Sequence, residues 1–553
     1  MRIILSTFLL CLTTIVFGQN TVGTISFDQS VINGYNLHYP HNQPTVYLLD
    51  NCGRVVHEWA DSADVRPGNV AILLENGNLV KTKRNASVAG DAIWAGGGGG
   101  IIEILDWDNN KLWSYELNNA TERLHHDIAV TQNGTIIAIV WELKTLSECI
   151  AAGRDTSNMT DIELWPDKII EIEPIGTDSA NIIWEWNAWD HLVQDFDATK
   201  ANFGVIKDNP GKIDINYFDD PGADWLHANS IDYNEILDQI IISIPEFNEM
   251  WIIDHSTTTA EAATSSGGNS GRGGDLMFRW GNPMAYDRGD STDMKCFYQH
   301  DVHWASFGLP TFHPDFGKIF FYNNRFTDSS STVNIINPQF DTYSWLYPYD
   351  TTNLYGPADY EWSYTHPEAE KMYSTGLSGV QRLENGNTLI CVGRRGYTFE
   401  ITPTEDIIWE YKNPLVQGNA VAQGTVLNIN QNLNFRFNRY PADYAAFMGK
   451  DLTAGNYLEV NPDSTVCNNA TTNVVDIITP DKFNIYPNPT TDWLTIEMTE
   501  ILDGQLRLYD VLGRTIHEEN VTTPQVNINM SELNAGFYFV TFEGRHIGKV
   551  IKQ

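Results

Sequence analysis

Residues 169–172 read Ile-Ile-Glu-Ile, and beyond a polar turn residues 182–186 read Ile-Ile-Trp-Glu-Trp. The first run has the apolar and polar alternation of a half-buried strand, and the second has the composition of a strand that ends in aromatic side chains. The same pair of patterns recurs six times along the chain. Its copies are 46–50 with 55–59, 101–104 with 111–115, 169–172 with 182–186, 251–254 with 277–280, 333–336 with 343–345, and 398–401 with 407–411.

The turns of these copies contain the residues that tight hairpins need. Asn76-Gly77, Asn133-Gly134 and Asn385-Gly386 supply the positive φ of a two-residue turn. Each copy then holds four strands within about 50 to 80 residues, at or above the usual period of a propeller blade. We therefore predict an all-β chain in which residues 22–462 form a six-bladed β-propeller. A β-sandwich array or an open solenoid is the alternative, because one sequence does not prove closure.

The composition narrows the range of partners. The 553 residues include 71 Asp and Glu against 34 Lys and Arg, a formal net charge of −37. This charge repels phosphate backbones and acidic membrane surfaces, so we expect no nucleic-acid partner.

The first residues have the layout of a secretory signal. Residues 1–18 open with Met1-Arg2 and continue into a short apolar run, which predicts a signal peptide. No other stretch is long and apolar enough for a membrane helix, so we expect no transmembrane segment in the mature chain. Residues 463–480 are polar and aperiodic, which predicts a linker. Residues 483–553 then predict a separate, small β-sandwich.

The cysteines do not form a recognisable pattern. Cys52, Cys149, Cys296, Cys391 and Cys467 follow the signal at wide spacings that match neither a disulfide framework nor a zinc site. The cysteines allow one or two disulfide bridges, and their spacing does not indicate which cysteines pair. We predict no cofactor and no metal site, and we leave a structural calcium open. Residues 96–100 are five glycines, but no Lys-Ser/Thr follows them, so they predict a flexible connection rather than a phosphate-binding loop.

Three copies of the repeat place a histidine ahead of a turn. These are His126, His227 and His300, and the corresponding positions in other copies are Asn69 and Ser378. An inserted loop makes the register of His300 approximate. Equivalent positions of a propeller line the mouth of its channel, so these side chains are expected to face one another.

Arginines near the strand ends complete a predicted anion site. Arg325 and Arg394, together with imidazoles that can take a proton, suit a sulfate or phosphate ester. Histidine can also attack such an ester while a second histidine protonates the leaving phenol. In the structural alternative, His227 is held by hydrogen bonds to Asp224 or Ser230 and the arginines are solvated.

Five stretches resemble the bacterial arylsulfate sulfotransferases, and the similarity runs through most of residues 45–460. The resemblance implies an exported six-bladed propeller that moves a sulfuryl group from one phenol to another without a nucleotide sulfate donor. It also implies a transient sulfated histidine, with other histidines and an arginine holding the sulfate. The stretches are Asp-Trp-Leu-His-Ala-Asn-Ser-Ile-Asp-Tyr-Asn at 224–234, Ile-Asp-His-Ser-Thr at 253–257, Arg-Trp-Gly-Asn-Pro at 279–283, Gln-His-Asp at 299–301, and Leu-Glu-Asn-Gly-Asn-Thr-Leu at 383–389.

The family motifs carry over to particular residues with one exception. The Asp-Trp-x-His-x-Asn motif gives His227 and Asn229, the Gln-His motif gives His300, and the arginine soon after the next strand is Arg325. The family's sulfated histidine lies in a late blade, whereas residues 392–397 here read Val-Gly-Arg-Arg-Gly-Tyr. Three possibilities stay open: His126 or His227 takes the group, transfer is direct, or sulfated aromatics are bound without turnover.

Residues 483–553 resemble the C-terminal sorting domain of type IX secretion, including Gly-Lys-Val-Ile-Lys at 548–552. This resemblance implies the type IX machinery as a partner, export across the outer membrane, removal of the domain, and release or surface attachment.

The sequence thus predicts an exported aryl sulfotransferase with a phenolic sulfate donor and a phenol acceptor. A non-catalytic surface propeller that binds sulfated glycans or other partners is the alternative. The predicted catalytic residues are His126, His227 and His300, and the predicted substrate-binding residues are Arg325, Arg394 and Asn229.

Overall fold

The computed structural model describes residues 20–157, 159–217, 222–348, 354–468, 483–498, 504–510, 515–542 and 545–553. The predicted signal peptide at 1–18 lies outside these residues, and the predicted linker at 463–480 is described only to residue 468. Strands account for 44% of the structure and helices for 8%, which confirms the prediction of a mostly β chain.

Six antiparallel sheets of four or five strands follow one another in the described part of residues 23–441. Most are simple meanders, but sheet 1 joins a late strand to three early ones, and sheet 6 gains an N-terminal strand at its outer edge. Sheet 1 comprises Asn434–Pro441, Gly34–Pro40, Val46–Asp50 and Val55–Trp59; sheet 2 Val65–Leu73, Leu79–Asn85, Ile101–Leu105 and Lys111–Glu116; sheet 3 Glu122–Val130, Ile136–Glu142, Asp167–Ile175 and Ser179–Asn187; sheet 4 Ser230–Asn234, Gln239–Ile244, Glu249–Asp254 and Phe278–Trp280; sheet 5 His300–Trp304, Ile319–Thr327, Ser330–Ile336 and Trp362–Tyr364; sheet 6 Gly379–Arg382, Thr388–Val392, Tyr397–Ile401, Ile407–Lys412 and Gly23–Phe27.

The remaining short elements lie in the connections. None of the helices in the described chain is long and apolar enough to cross a membrane. The α-helices are Leu146–Ala152, Thr259–Ala262, Ala369–Met372 and Thr465–Asn468; the 3-10 turns are Ala188–His191, Ile206–Asp208, Pro245–Phe247, Pro283–Tyr286, Gly393–Arg395 and Ala445–Phe447; the strand pairs are Lys144–Thr145 with Glu163–Leu164, Leu192–Val193 with Ile213–Asp214, and Leu415–Val416 with Asn419–Ala420.

The first strand of each sheet, which we call its inner strand, contacts the inner strands of the two neighbouring sheets. One or more hydrogen bonds join each neighbouring pair, so the contacts run through all six sheets and return to the first. Asn69 Nδ2 donates to His126 O (3.3 Å), Ile231 N to Asp127 Oδ2 (3.1 Å), Trp304 N to Asp232 Oδ2 (2.9 Å), Val380 N to Asp301 Oδ2 (2.8 Å), Arg439 N to Gln381 Oε1 (2.8 Å), and Leu73 N to Tyr440 Oη (2.9 Å).

One partly buried arginine neutralises two of these carboxylates. Arg436, on the inner strand of sheet 1, donates from Nη2 to Asp127 Oδ2 at 2.5 Å, and its Nε lies 2.6 Å from Asp301 Oδ1. Because unpaired buried charges are costly, the arginine allows both acids to serve as acceptors for the neighbouring sheets.

The fifth repeat differs from its sequence-based prediction. Strand Ser330–Ile336 pairs with Trp362–Tyr364, whereas the predicted partner at 343–345 lies in a turn in which Tyr343 is 96% exposed. The prediction of a strand at 343–345 is wrong because an insertion separates the two strands, and Trp-Ser-Tyr at 362–364 provides the same aromatic spacing further on.

A separate C-terminal unit has its own core. Its two sheets share buried apolar side chains that include Leu494, Ile528, Leu508 and Val540. The first sheet comprises Phe483–Tyr486, Trp493–Met498 and Gln525–Asn529; the second comprises Thr515–Val521, Gly504–Asp510, Gly536–Phe542 and Arg545–Lys552.

A disulfide joins Cys52 to Cys467 with their Cα atoms 5.8 Å apart. Cys52 lies in the turn between the last two strands of sheet 1, and Cys467 lies beyond the last inner strand. The bridge therefore links the first sheet to the segment that follows the last inner strand, 415 residues later in the sequence. The cysteine spacing alone did not indicate this pairing. Cys149, Cys296 and Cys391 are buried free thiols.

A partly buried histidine links sheets 3 and 4 away from the inner strands. His255 Nδ1 lies 2.7 Å from Asp238 Oδ1, and its Nε2 lies 3.1 Å from Glu171 Oε2. Burial alone would lower the pKa of His255, but hydrogen bonds and charge from the two carboxylates raise it to about 9.

Replacing His255 with glutamine is expected to remove a stabilising contribution that depends on pH. Because the folded-state pKa of about 9 exceeds the unfolded value of about 6.5, the contribution is complete below about pH 6.5 and is lost as the pH rises through 9. Between about pH 6 and pH 9.5, the parent should lose about 1 to 3 kcal/mol more unfolding free energy than the variant. Denaturant unfolding at the two pH values measures this difference, and equal losses would contradict the assignment.

Candidate functional site

Four residues that the sequence register treats as equivalent share an unusual backbone. Asn69, His126, His227 and Ser378 have φ angles of 118°, 49°, 56° and 91°. Positive φ is rare outside glycine and accompanies bulges in strands. The pairing register is interrupted beside Asn69 and His126. The same positive φ thus recurs at the same distance before the turn in four sheets. This shared backbone geometry explains why residues at that distance were predicted to face one another.

His227 is held by a carboxylate on one nitrogen and is open on the other. Its Nδ1 lies 2.5 Å from Asp224 Oδ2, while its Nε2 has no hydrogen-bond partner in the described chain. Burial alone would lower the pKa of His227, but the charges of Asp224, Glu246 and Asp167 raise it above its ordinary value. His227 is therefore the histidine of the site that most readily carries a proton.

His126 lies against His227 and is backed by a second imidazole. The centroids of the His126 and His227 rings are 4.6 Å apart in an edge-to-face arrangement. Behind them, His126 Nδ1 lies 2.8 Å from His125 Nδ1, and His125 Nε2 lies 2.9 Å from Asp167 Oδ1, at ion-pair distance but without hydrogen-bond geometry. His125 stacks on Trp141 at 3.9 Å. Burial, followed by the charge of His227, lowers the pKa of His126.

His300 is held in a neutral form. Its Nδ1 lies 2.8 Å from Asn324 Oδ1, and its Nε2 has no partner among the described residues. Burial, followed by the charge of His227, lowers its pKa to about 3. His41, at the end of the second strand of sheet 1, also remains neutral, because burial and the charges of Arg84 and Arg394 lower its pKa to about 4.

A tyrosine lies between the histidines and the arginines. The ring of Tyr298 lies 6.3 Å from that of His227 and 6.0 Å from that of His300. Arg325 lies over the Tyr298 ring at 3.5 Å, and the tyrosine hydroxyl donates to Glu246 Oε1 at 3.1 Å. Tyr298 thus lies beside two histidines, an arginine and a carboxylate.

The two predicted arginines have no carboxylate partner within the described residues. Arg325 Nε donates to Thr375 O at 3.2 Å, and Arg394 Nη1 donates to Asn430 Oδ1 at 3.2 Å. Arg394 Nε is buried without any hydrogen-bond partner in that part of the chain. By contrast, the buried Arg279 is paired with Glu249. Guanidiniums without counter-ions beside neutral imidazoles have the charge and the hydrogen-bond donors that suit an anion.

The structure therefore brings five of the six predicted residues together: His126, His227, His300, Arg325 and Arg394. Asn229 is fully buried instead, and its Nδ2 donates to Gln299 O at 2.8 Å. This bond fixes the chain next to His300, so Asn229 positions the site rather than lining it. No described group of three or more His, Cys, Asp or Glu side chains has the geometry to hold a metal ion.

Several site residues were missed by sequence reasoning. The glycines at 96–100 are not a free connection, because His126 N donates to Gly97 O at 2.9 Å and Gly99 N donates to Leu124 O at 3.1 Å. A Cβ on Gly97 would lie 1.9 Å from His126 Nε2, so only glycine fits there. The five-glycine run could have indicated that the backbone there passes close to another group. Nothing in the sequence marked His125, Asp167 or Tyr298 as site residues.

The chain matches two known families, one over the six sheets and one over the C-terminal unit. Residues 35–430 match the family model described as Arylsulfotransferase (ASST). Residues 484–553 match the secretion system C-terminal sorting domain, which confirms both resemblances seen in the sequence. No curated protein matches the chain.

Solved structures show only distant likeness. A protein of unknown function from Bacteroides caccae has 8% identity and a TM-score of 0.36 over 69% of this chain and 94% of that one. A streptogramin B lyase has 12% identity and a TM-score of 0.33 over 75% and 97%, respectively. Virginiamycin B lyase from Staphylococcus aureus has 9% identity and a TM-score of 0.31 over 72% and 90%. At these scores the likenesses carry no argument about this chain.

Replacing Asp224 with asparagine is expected to lower the pKa of His227 from above to below its ordinary value of about 6.5, because burial then outweighs the remaining charges. Selective labelling of histidine rings and NMR titration would measure the change. Asp208→Asn, which removes an exposed carboxylate, is the control and should leave the His227 titration unchanged.

Proposed function

Since this chain belongs to the arylsulfotransferase family, we propose that it transfers a sulfuryl group from a phenolic sulfate ester to a phenolic acceptor. The observation that carries the proposal is the juxtaposition of one readily protonated histidine, His227, with neutral histidines and with arginines that lack counter-ions. We also infer that the six sheets are the blades of a closed propeller and that the C-terminal unit is a β-sandwich.

The cyclic contacts of the inner strands support the propeller. Side chains on one inner strand bond to the next until the sixth returns to the first. In a closed array of this kind, the distorted ends of the inner strands face a common axis. The five clustered residues come from sheets 3, 4, 5 and 6 or their flanking loops, as a site on that axis requires.

The arginines suit the sulfate group. A sulfate ester has one negative charge, and the oxygens that do not leave keep that charge through transfer. Arg325 and Arg394 offer fixed donors in a protein whose net charge of −37 opposes an anion's approach. Recognition therefore depends on short-range contacts, and removal of one such donor typically costs about 100-fold in rate.

His227 suits the departing phenol. As the sulfur–oxygen bond breaks, negative charge develops on the phenolic oxygen, and His227 Nε2–H can supply a proton to it. Asp224 on Nδ1 holds the ring and favours the protonated form. In the reverse sense, the same nitrogen can take the proton of the acceptor phenol.

The non-catalytic alternative has one observation in its favour. Residues 392–397 contain no histidine, and their 3-10 turn Gly393–Arg395 contributes Arg394 to the site. A propeller of this kind would bind a sulfated glycan or another sulfated ligand without changing it. The neutral His300 with its open Nε2 favours turnover instead.

The C-terminal domain supports export of the enzyme. Residues 484–553 are a secretion sorting domain, and together with the predicted signal peptide we propose that they direct the chain to the type IX machinery and to the cell surface or medium. Small phenolic sulfates would then be met outside the cell.

The purified protein is expected to release nitrophenol from a nitrophenyl sulfate when a phenol acceptor is present. His227→Gln should lower this rate by about 100-fold or more, because the leaving oxygen loses its proton donor. His57→Gln, in the outer strand of sheet 1, is the matched control and should retain activity. Saturable binding of the ester by the parent protein without release of nitrophenol would favour the non-catalytic alternative.

Arg394→Gln is expected to lower kcat/KM for the sulfate ester by about 100-fold while the protein stays folded, because a fixed cation beside the sulfate is lost. Its neighbour Arg395 donates to Tyr373 O and offers the control Arg395→Gln. Steady-state kinetics and thermal unfolding of both variants test the difference. Equal kinetic losses in the two variants would remove Arg394 from the binding site.

A further inference from the structure

We propose that Arg84, His41 and Tyr39 form a second anion-binding subsite beside the histidine site, and that it takes a carboxylate at the far end of the phenolic sulfate donor. This inference rests on the proposed function and narrows its substrate class to sulfated phenols that carry a second acidic group. The three residues come from sheets 1 and 2. The residues that surround the sulfate come from sheets 3 to 6, so the two sets do not overlap.

Arg84 lies where the second strand of its sheet ends, as the arginines of the sulfate site do. It is the penultimate residue of strand Leu79–Asn85 in sheet 2. Arg325 lies near the end of the second strand of sheet 5, and Arg394 lies two residues beyond the second strand of sheet 6. Because a second strand runs antiparallel to the inner strand, it ends at the face where the inner strand begins. Arg84 therefore lies on the same face of the sheets as Arg325 and Arg394.

A tryptophan connects Arg84 to the histidines. The Arg84 guanidinium lies 5.0 Å from the centroid of the Trp94 ring, which is 37% exposed. Trp94 packs on Gly98, where a Cβ would lie 2.6 Å from Trp94 Cζ3. The preceding Gly97 lies against His126, since a Cβ there would be 1.9 Å from His126 Nε2. Arg84 thus borders the loop that contacts the histidine site.

Arg84 has no carboxylate partner in the part of the chain that the structure describes. Its Nη1 donates to the carbonyl oxygens of Asn85 at 2.9 Å and Ala86 at 3.4 Å. Burial, followed by the charges of Arg123 and Arg66, lowers the pKa of Arg84. A cation that is desolvated and lies near like charges gains free energy when an anion binds beside it.

The neighbouring acids are already neutralised. Each carboxylate in this part of sheet 2 and its flanking loops that forms an ion pair has a basic partner, so it does not cancel the charge of Arg84. The pairs are Lys81 with Asp61 at 2.8 Å, Lys83 with Glu103 at 2.9 Å, and Arg123 with Asp91 at 2.5 Å.

Two buried polar atoms near Arg84 have no hydrogen-bond partner among the described residues. Tyr39 is 4% exposed, and its Oη is unpaired, as is the buried Nε2 of His41. Burial raises the pKa of Tyr39 well above its ordinary value, so its hydroxyl keeps a proton. His41 is neutral, because burial and the charges of Arg84 and Arg394 lower its pKa to about 4. Buried donors that lack an acceptor are costly, which indicates that a bound group satisfies them.

These groups suit a carboxylate. A carboxylate has two acceptor oxygens, and Tyr39 Oη–H and His41 Nε2–H can each donate to one of them while Arg84 balances the charge. His41 also joins the two subsites, because it responds to the charges of both Arg84 and Arg394. One aromatic ring with a sulfate at one end and a carboxylate at the other can therefore occupy both.

Kinetics with paired donors tests the proposal. The sulfate esters of 4-hydroxybenzoate, 4-hydroxyphenylacetate and 4-hydroxyphenylpropionate place a carboxylate at increasing distances from the sulfate, and their methyl esters lack its charge. With one phenol as acceptor, kcat/KM is expected to be about 10- to 100-fold higher for the acid than for its methyl ester at one length or more. Arg84→Gln should lower this ratio to about 1 or below, and Tyr39→Phe, which removes only the unpaired hydroxyl, should lower it in part.

Arg54→Gln is the control for net charge. Arg54 lies in the turn between the last two strands of sheet 1 and is paired with Asp50 at 2.7 Å, so its replacement should leave the ratio at the parent value. Equal loss of the preference in Arg84→Gln and Arg54→Gln would attribute it to overall charge and overturn the subsite. A ratio near 1 in the parent at all three lengths, with steady transfer from the methyl esters, would also overturn it while the proposed function stands.

Equilibrium binding tests the subsite without turnover. In the corresponding aromatic sulfonates, a carbon–sulfur bond replaces the ester bond, so the sulfur is not transferred. Calorimetry should show about 10-fold or tighter binding of the acid than of its methyl ester to the parent, loss of this difference in Arg84→Gln, and partial recovery in Arg84→Lys. Equal affinities at every length would overturn the subsite. Absence of transfer from every sulfate ester would refute the proposed function, and these affinities would then still decide whether the second subsite exists.

Discussion

Hydrogen bonds between neighbouring inner strands hold the site histidines in place. Sheets that pack side by side leave the polar backbone groups at their inner strands without ladder partners, and a buried N–H without an acceptor is costly. Here Asp127, Asp232 and Asp301 accept those N–H groups from the next sheet. Because His126 and His300 immediately precede two of these acids in the sequence, the bonds that join the sheets also set where the imidazoles lie.

Burial and neighbouring charge then divide the histidines into two kinds. Desolvation and neighbouring positive charge keep His41, His126 and His300 neutral, while Asp224 favours a proton on His227. Environments that push the pKa values of adjacent groups apart are the usual way in which a protein separates an acid from a nucleophile. An acidic protein gains a locally cationic site by leaving two arginines without counter-ions, not by a change in overall composition.

Much of this arrangement could be predicted from the sequence, and the failures have physical causes. Period-2 alternation and Asn-Gly turns revealed the strands, and the shared offset before the turns identified Asn69, His126, His227 and Ser378, because equal register produces equal backbone distortion. The outer strand of sheet 5 was misplaced, since an insertion separates Trp362 from its pattern. His125 and Asp167 were overlooked because their contacts depend on tertiary packing, which no local pattern encodes.

Formation of the disulfide between Cys52 and Cys467 depends on the cellular compartment in which the chain is located. Thiols stay reduced in the cytoplasm and oxidise outside it, so this disulfide forms only after the polypeptide has left the compartment where it was made. Until then, the late strand that completes sheet 1 is held there by noncovalent forces alone. The covalent bond between sheet 1 and residue 467 is thus a property of the secreted protein and not of its newly synthesised precursor.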